Sequence, residues 1–240
     1  MSDPRLAIIP SRFDKVKRVI AVSSGKGGVG KSMIAVALAL VLRDRNRRVG
    51  LLDLDFTSPS THVILGVEGL VPHEEKGITP PLAHGLHYMS IVHYSTDKPV
   101  PLRGADASNA IIELLAITRW ETLDYLIIDM PPGIGDATLD MIRLIPRIEF
   151  LVVTTPSRLA YESVRKLLVL LKDQGAPTIG VLENMSMEHT PYIKEETKKT
   201  GARYLGRVDF EATLEASIGY PEKLVETSLF KRLTEIVESI

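Results

Sequence analysis
The sequence predicts an α/β fold, a doubly wound and mostly parallel sheet with helices on both faces. Short apolar, β-branched runs alternate with helical patterns, the sign of βαβ units whose strands are covered on both sides. A glycine-rich turn joins the first such run to a long apolar helix. Right-handed crossovers then force the double winding, and the polar residues that stand out sit where strands end, which is where such sheets bind ligands.

Taken in order, strands are expected at 18–23, 48–52, 86–92, 125–129, 150–154, 178–183 and 203–205, each continuously apolar or nearly so. Helices are expected at 31–45, 107–120, 158–174, 194–200 and 228–240, with stops such as Gly175-Ala176-Pro177. Residues 66–85, rich in Pro, Gly and His, read as a mobile surface excursion, and residues 1–15 as a flexible arm on a single domain spanning 1–240.

Composition narrows the function. In 240 residues, 29 basic side chains face 30 acidic ones, so no global field draws the protein to nucleic acid or an anionic membrane. There is no cysteine, which excludes thiolate-held zinc or iron–sulfur clusters and disulfides within the chain. The N-terminus has no apolar stretch of signal length, and the run 33–42 is too short to span a bilayer; a cytoplasmic location is expected.

Gly25-Lys26-Gly27-Gly28-Val29-Gly30-Lys31-Ser32 fits G-x-x-x-x-G-K-[ST] with an expected strand before and a helix after, the context a phosphate-binding loop requires. Glycines let the backbone approach phosphates so that successive N–H groups form an anion nest at a helix start. Lys31 would neutralise the β- and γ-phosphates, and Ser32 offers Mg²⁺ a hard oxygen. Met33 follows within the nucleotide-contacting stretch and is not a metal position.

Asp53 and Asp55 end the second strand on one side of it, suited to water positioning and to outer-sphere Mg²⁺ binding, with turn or helix capping as the alternative. Asp129 closes a strongly apolar run before Met130-Pro131-Pro132-Gly133, as a metal-holding carboxylate followed by a switch segment does. Asn184 ends a later strand, where a carboxamide can read the adenine edge.

With Lys26 before Gly27-Gly28, the loop resembles the deviant phosphate loop of the MinD, partition-protein and Mrp/Nbp35 ATPases. The likeness extends from about residue 15 to the end, and the phrases at 55–60, 125–136, 152–157 and 180–186 point to the Mrp/Nbp35 branch. The resemblance implies a MinD-like P-loop ATPase that hydrolyses ATP slowly and dimerises around it. Lys26 would reach the nucleotide of a second subunit, Asp55 would orient the attacking water with Asp53 in support, and Asn184 would contact adenine. Backbone around residues 208–210 would line the base, although the proline usual there is missing and Asp209 stands instead. Many members of that branch hold an iron–sulfur cluster on a Cys-x-x-Cys just after this position, where the present chain has Met187-Glu188-His189-Thr190-Pro191-Tyr192. A cysteine-free set of relatives serves nickel insertion into hydrogenase with a small metallochaperone, and that role suits this chain best. An iron–sulfur carrier or scaffold, or a positioning ATPase of the MinD or partition type, is the alternative.

Two histidine sets, His84 with His87 and His93, and Met187 with His189, lack a spacing that fixes ligands on one face, so no tight nickel site is expected. The stripe Leu229, Leu233, Ile236, Val237 and Ile240 faces a mixed-charge side of the last helix, which suits packing on the sheet better than a membrane surface. No acceptor-binding set accompanies the loop, which disfavours a small-molecule kinase. The expected partners are a second copy and a protein client, with no nucleic acid and no membrane.

Overall fold
The computed structural model describes residues 3–93, 104–188 and 190–238. An eight-stranded sheet has the order β10-β9-β8-β1-β7-β2-β6-β5. Its strands are β1 (Val16–Ser24), β2 (Val49–Asp53), β5 (Leu82–Ala83), β6 (Leu86–Ser90), β7 (Leu123–Asp129), β8 (Ile148–Thr154), β9 (Thr178–Ser186) and β10 (Tyr204–Asp209). Every pairing is parallel except β5 with β6. β3 (His73–Glu74) and β4 (Ile78–Thr79) form a separate hairpin.

The strands are apolar on both sides because both sides are covered. On β1, Val19 and Ala21 join one buried cluster while Ile20 and Val22 join the other. Helices α1 (Pro4–Arg12), α4 (Ala105–Ile117), α5 (Asp136–Leu144), α6 (Arg158–Asp173) and α7 (Tyr192–Thr200) contribute to the first cluster or pack beside it. The second lies under α2 (Lys31–Asp44), α3 (Thr61–Leu65), α8 (Pro221–Leu224) and α9 (Ser228–Val237). α2 is apolar almost all round because it is sandwiched between the sheet and α9. The stripe of α9 closes that layer: Leu229, Leu233 and Ile236 are buried, each worth about 1.5–3 kcal/mol over exposure. Ile240 lies outside the described residues, and among those that are described no helix is long and apolar enough to cross a membrane.

The doubly wound expectation holds, and two segments differ from their reading. Within the stretch expected as a flexible arm, Pro4–Arg12 is helical: the Asp3 side chain accepts from the Arg5 N–H at its start, and Ile9 is buried against the α4 side of the core. The excursion at 66–85 contains the β3–β4 hairpin and the antiparallel edge strand β5, which caps the sheet beside β6. β1 is central, and the chain passes to β2, β6 and β7 on one side of it before crossing to β8, β9 and β10 on the other. The crevice beyond its carboxyl end is therefore the switch point of the sheet.

Candidate active site
The first crossover fills that crevice. β1 ends at Ser24 and α2 begins at Lys31, so the glycine-rich turn must reverse the chain over a few residues. Gly30 does so at φ 80°, a left-handed conformation, and a Cβ on it would stand 2.4 Å from Asn184 Nδ2. Gly25 has a different reason to be glycine: its Cβ would lie 2.6 Å from the Ser163 carbonyl carbon, so the root of the loop is seated directly on the backbone of α6. The Ser24 hydroxyl donates to the Lys26 carbonyl at 2.9 Å, and no side chain caps α2, which leaves its first N–H groups to an anion.

Lys31 is buried, and its Nζ donates to Asp129 Oδ1 at the end of β7. Register brings this about, since Val22 of β1 and Asp53 of β2 flank Asp129. The Lys31 Nζ also lies 3.4 Å from the Ser32 hydroxyl, and the second Asp129 oxygen, Oδ2, is buried without a partner. Burial pushes the Asp129 carboxyl up to about 6, opposed by the Lys31 ammonium and assisted by the charge of Asp53. An orphaned carboxylate oxygen beside a serine hydroxyl is a donor set for a hard divalent cation, so these residues fit Mg²⁺, with Ser32 and Asp129 as the holders.

Asp53, read from sequence as a metal and catalytic carboxylate, stands beside Asp129 in the sheet. It is buried, and it points both oxygens at its own chain: Oδ1 accepts from the Asp55 N–H at 3.0 Å, and Oδ2 from the Thr61 hydroxyl at 2.7 Å and N–H at 3.3 Å. Burial raises its carboxyl above the ordinary carboxylate range, and these hydrogen bonds pull it back. These contacts tie Asp53 to the first residue of α3. Asp55 differs from it. Its Oδ1 accepts from the Thr57 hydroxyl at 2.8 Å and the Ser58 N–H at 3.1 Å, and it lines a cavity of about 450 Å³ together with the loop from Lys26 to Met33, including Gly27, Gly28 and Val29. The Lys26 side chain is exposed at the mouth of that cavity.

A second cavity of about 250 Å³ opens at the other end of the loop, walled by Gly30, Met33, Asn184, Met185, Asp209 and Phe210. Asn184 Nδ2 donates to the Val29 carbonyl at 2.9 Å, which ties this pocket to the phosphate loop. Phe210, half exposed, falls in the backbone stretch expected beside the base, whereas Met185, at φ 59°, gives no sequence signal as a pocket wall until the strands are assembled. Thr61 and Tyr88 give no such signal either, because Asp53 reaches Thr61, and Thr61 reaches Tyr88, only through the fold.

The histidines do not converge. His84 occupies a turn at φ 47°, His87 sits on β6, and His93 stacks edge-on to Tyr88 with its Nδ1 3.1 Å from the Leu70 carbonyl. His189 lies outside the described residues. Among the described residues no group of three or more His, Cys, Asp or Glu side chains is placed to hold a metal ion.

The family description that matches residues 15–229 is that of the ParA-type, NUBPL iron-transfer P-loop NTPases. The chain belongs to that family. A relative of these iron-transfer NTPases from Methanocaldococcus jannaschii, named an iron-sulfur cluster carrier protein, is 35% identical over 98% of the chain and 87% of its own length. A protein of the same name from Salmonella typhimurium is 45% identical over 72% of the chain. The chain spans only 47% of that relative, about half the length of several bacterial proteins it matches. A solved nucleotide-binding protein of Archaeoglobus fulgidus, in complex with ADP and with cobalt found, aligns with a TM-score of 0.74 at 30% identity, covering 96% of this chain and 93% of the other. The relatives' names are those of iron–sulfur carriers and not of nickel-insertion ATPases, which moves the weight from the nickel expectation to its iron–sulfur alternative.

Proposed function
We propose that this iron-transfer NTPase binds MgATP between the two cavities, hydrolyses it slowly, and uses the nucleotide as a dimerisation and partner-binding switch in iron–sulfur cluster delivery. The observation that carries the nucleotide reading is the buried pair Lys31 and Asp129 with half-buried Ser32 beside them at the glycine-rich loop, and an unpartnered carboxylate oxygen among them. The loop N–H groups and the Lys31 ammonium hold the phosphates, and Asp55 accepts a hydrogen bond from the attacking water. Bound Mg²⁺ supplies charge neutralisation at the transferring phosphoryl group, held through Ser32 and Asp129. Lys26, exposed at the rim, is free to extend to the triphosphate of a second copy. Asn184 and the Met33–Phe210 pocket hold the base.

Cluster delivery draws on the names of the relatives, and the chain's own composition constrains how it works. Without a cysteine this protein offers a cluster no thiolate, so the cargo must ride on a partner's thiols while this chain supplies the nucleotide-dependent change of affinity. Phosphate release with MgATP, and the mass of the protein with a non-hydrolysable ATP analogue, test the switch: a monomer under all conditions or a lack of turnover refutes it. Capture by a protein locked with ATP through Asp55→Ala tests the cargo. Iron–sulfur apo-proteins or a thiol-rich carrier in the eluate support the proposal, whereas a nickel metallochaperone returns the assignment to nickel insertion.

A further inference from the structure
The segment between β2 and α3 carries Asp55, and both of its ends are tied to a single carboxylate. Asp53 accepts from the Asp55 N–H on one oxygen and from the Thr61 N–H and hydroxyl on the other. The residues between them, 54–60, are thus closed into a loop at its base. Within it Asp55 commits Oδ1 to Thr57 and Ser58, so the direction in which Oδ2 points follows from where those two ends are held.

What holds the clamp is a chain of buried hydroxyls. Thr61 has one hydroxyl proton and gives it to Asp53, so the Tyr88 hydroxyl, 2.9 Å from the same oxygen, must donate to Thr61. Tyr88 belongs to β6, the strand beside β2, and is fully buried with its ring set edge-on against His93 at a centroid distance of 5.4 Å. Ser90, two residues along the same strand, is buried as well, and its hydroxyl accepts from the Val92 N–H at 3.4 Å. The donors run in one direction, from β6 through Thr61 to Asp53, and rotation of the Thr61 hydroxyl away from Asp53 would cost that buried carboxylate the shortest of its three hydrogen bonds.

We propose that Thr61 and Tyr88 are positioning residues for hydrolysis, which through Asp53 fix the loop that presents Asp55 to the attacking water. This inference rests on the reading of the chain as an ATPase in which Asp55 orients that water. Neither residue lines the phosphate or base cavity, so their effect falls on turnover and not on nucleotide affinity.

The test compares Thr61→Val, Thr61→Ser and Tyr88→Phe in the full chain by steady-state ATP hydrolysis, MgADP titration and amide hydrogen exchange. Thr61→Val is expected to lower kcat by about tenfold or more, and Tyr88→Phe by a smaller factor, with MgADP affinity within about twofold of the parent. Thr61→Ser, which keeps the hydroxyl, should restore kcat. Exchange at residues 55–61 should accelerate in Thr61→Val while β1 and β7 keep their protection. A kcat in Thr61→Val equal to that of the parent overturns the proposal, as does unchanged exchange across the loop or a loss in MgADP affinity that matches the loss in kcat. If the parent itself neither binds nor hydrolyses nucleotide, the assignment of the site falls and the positioning role in hydrolysis falls with it. Accelerated exchange in Thr61→Val would then retain the clamp only as an architectural tie.

Discussion
At one end of the nucleotide cleft Lys31, Ser32 and Asp129 pack charge into a buried space, whereas at the other Met33, Met185 and Phe210 offer thioether and ring surface around a single carboxamide. The phosphate end would work by electrostatics around a buried ion pair, where each charge depends on its neighbour and losses are steep. The base end works by shape and one amide, so its losses are graded. A protein that couples nucleotide state to a partner gains from this division. On the proposed function, the steep end would report on the γ-phosphate and cation, and the graded end would select the base without dominating the affinity.

The comparison can be broken most severely at Lys31. Lys31→Ala should lower ATP turnover by about a hundredfold or more, measured as phosphate release, because it removes a cation aimed at the developing charge. Gly25→Ala comes next. The added Cβ meets backbone of α6 and not a movable side chain, so the loop must shift, and MgATP affinity should fall by about tenfold or more by titration calorimetry.

Asp129 sharpens the contrast through pH. Its carboxyl is raised from 3.8 to about 6 in the folded protein, mainly by burial, and only the ionised form recruits a cation. The magnesium-dependent gain in ADP affinity should therefore grow as pH rises through about 6, and Asp129→Asn should abolish that gain. The stability consequence has the opposite sign. A carboxyl with a raised folded value stabilises fully below its unfolded value and loses that contribution as pH rises from 3.8 towards 6, so Asp129→Asn should gain on the parent over that window in denaturant unfolding. Weakest of all should be Phe210→Ala, which trims one wall of the base pocket and is expected to raise KM for ATP by only about three- to tenfold. An effect at Phe210 as large as that at Lys31 would erase the distinction between the two ends.

Much of this was legible because the fold is written in continuous apolar strands. The runs ending at Asp129 and Thr154 predict β7 and β8, and their neighbour in space, β1, hands its chain directly to the loop that the glycine pattern announces. α1 was not read, although Asp3-Pro4 is a helix-start signal, since Pro10 and a single fully buried residue, Ile9, leave almost no apolar periodicity to detect. The site divides in the same way. Lys31, Ser32 and Asp129 follow from motif spacing, because loop and strand are each local features. The role of Asp53 does not, since its carboxylate is equally compatible with a cation and with the start of α3. Its bonds to Thr61, eight residues downstream, exist only once the chain is folded.

The seating of Gly25 against Ser163 leaves no compliant layer between the triphosphate grip and the outer helix α6, whose first turn carries the solvent-facing Leu159. A displacement of that helix by a few tenths of an ångström would be transmitted to the root of the grip undamped. Whatever leans on α6 from outside therefore has a mechanical handle on the fuel.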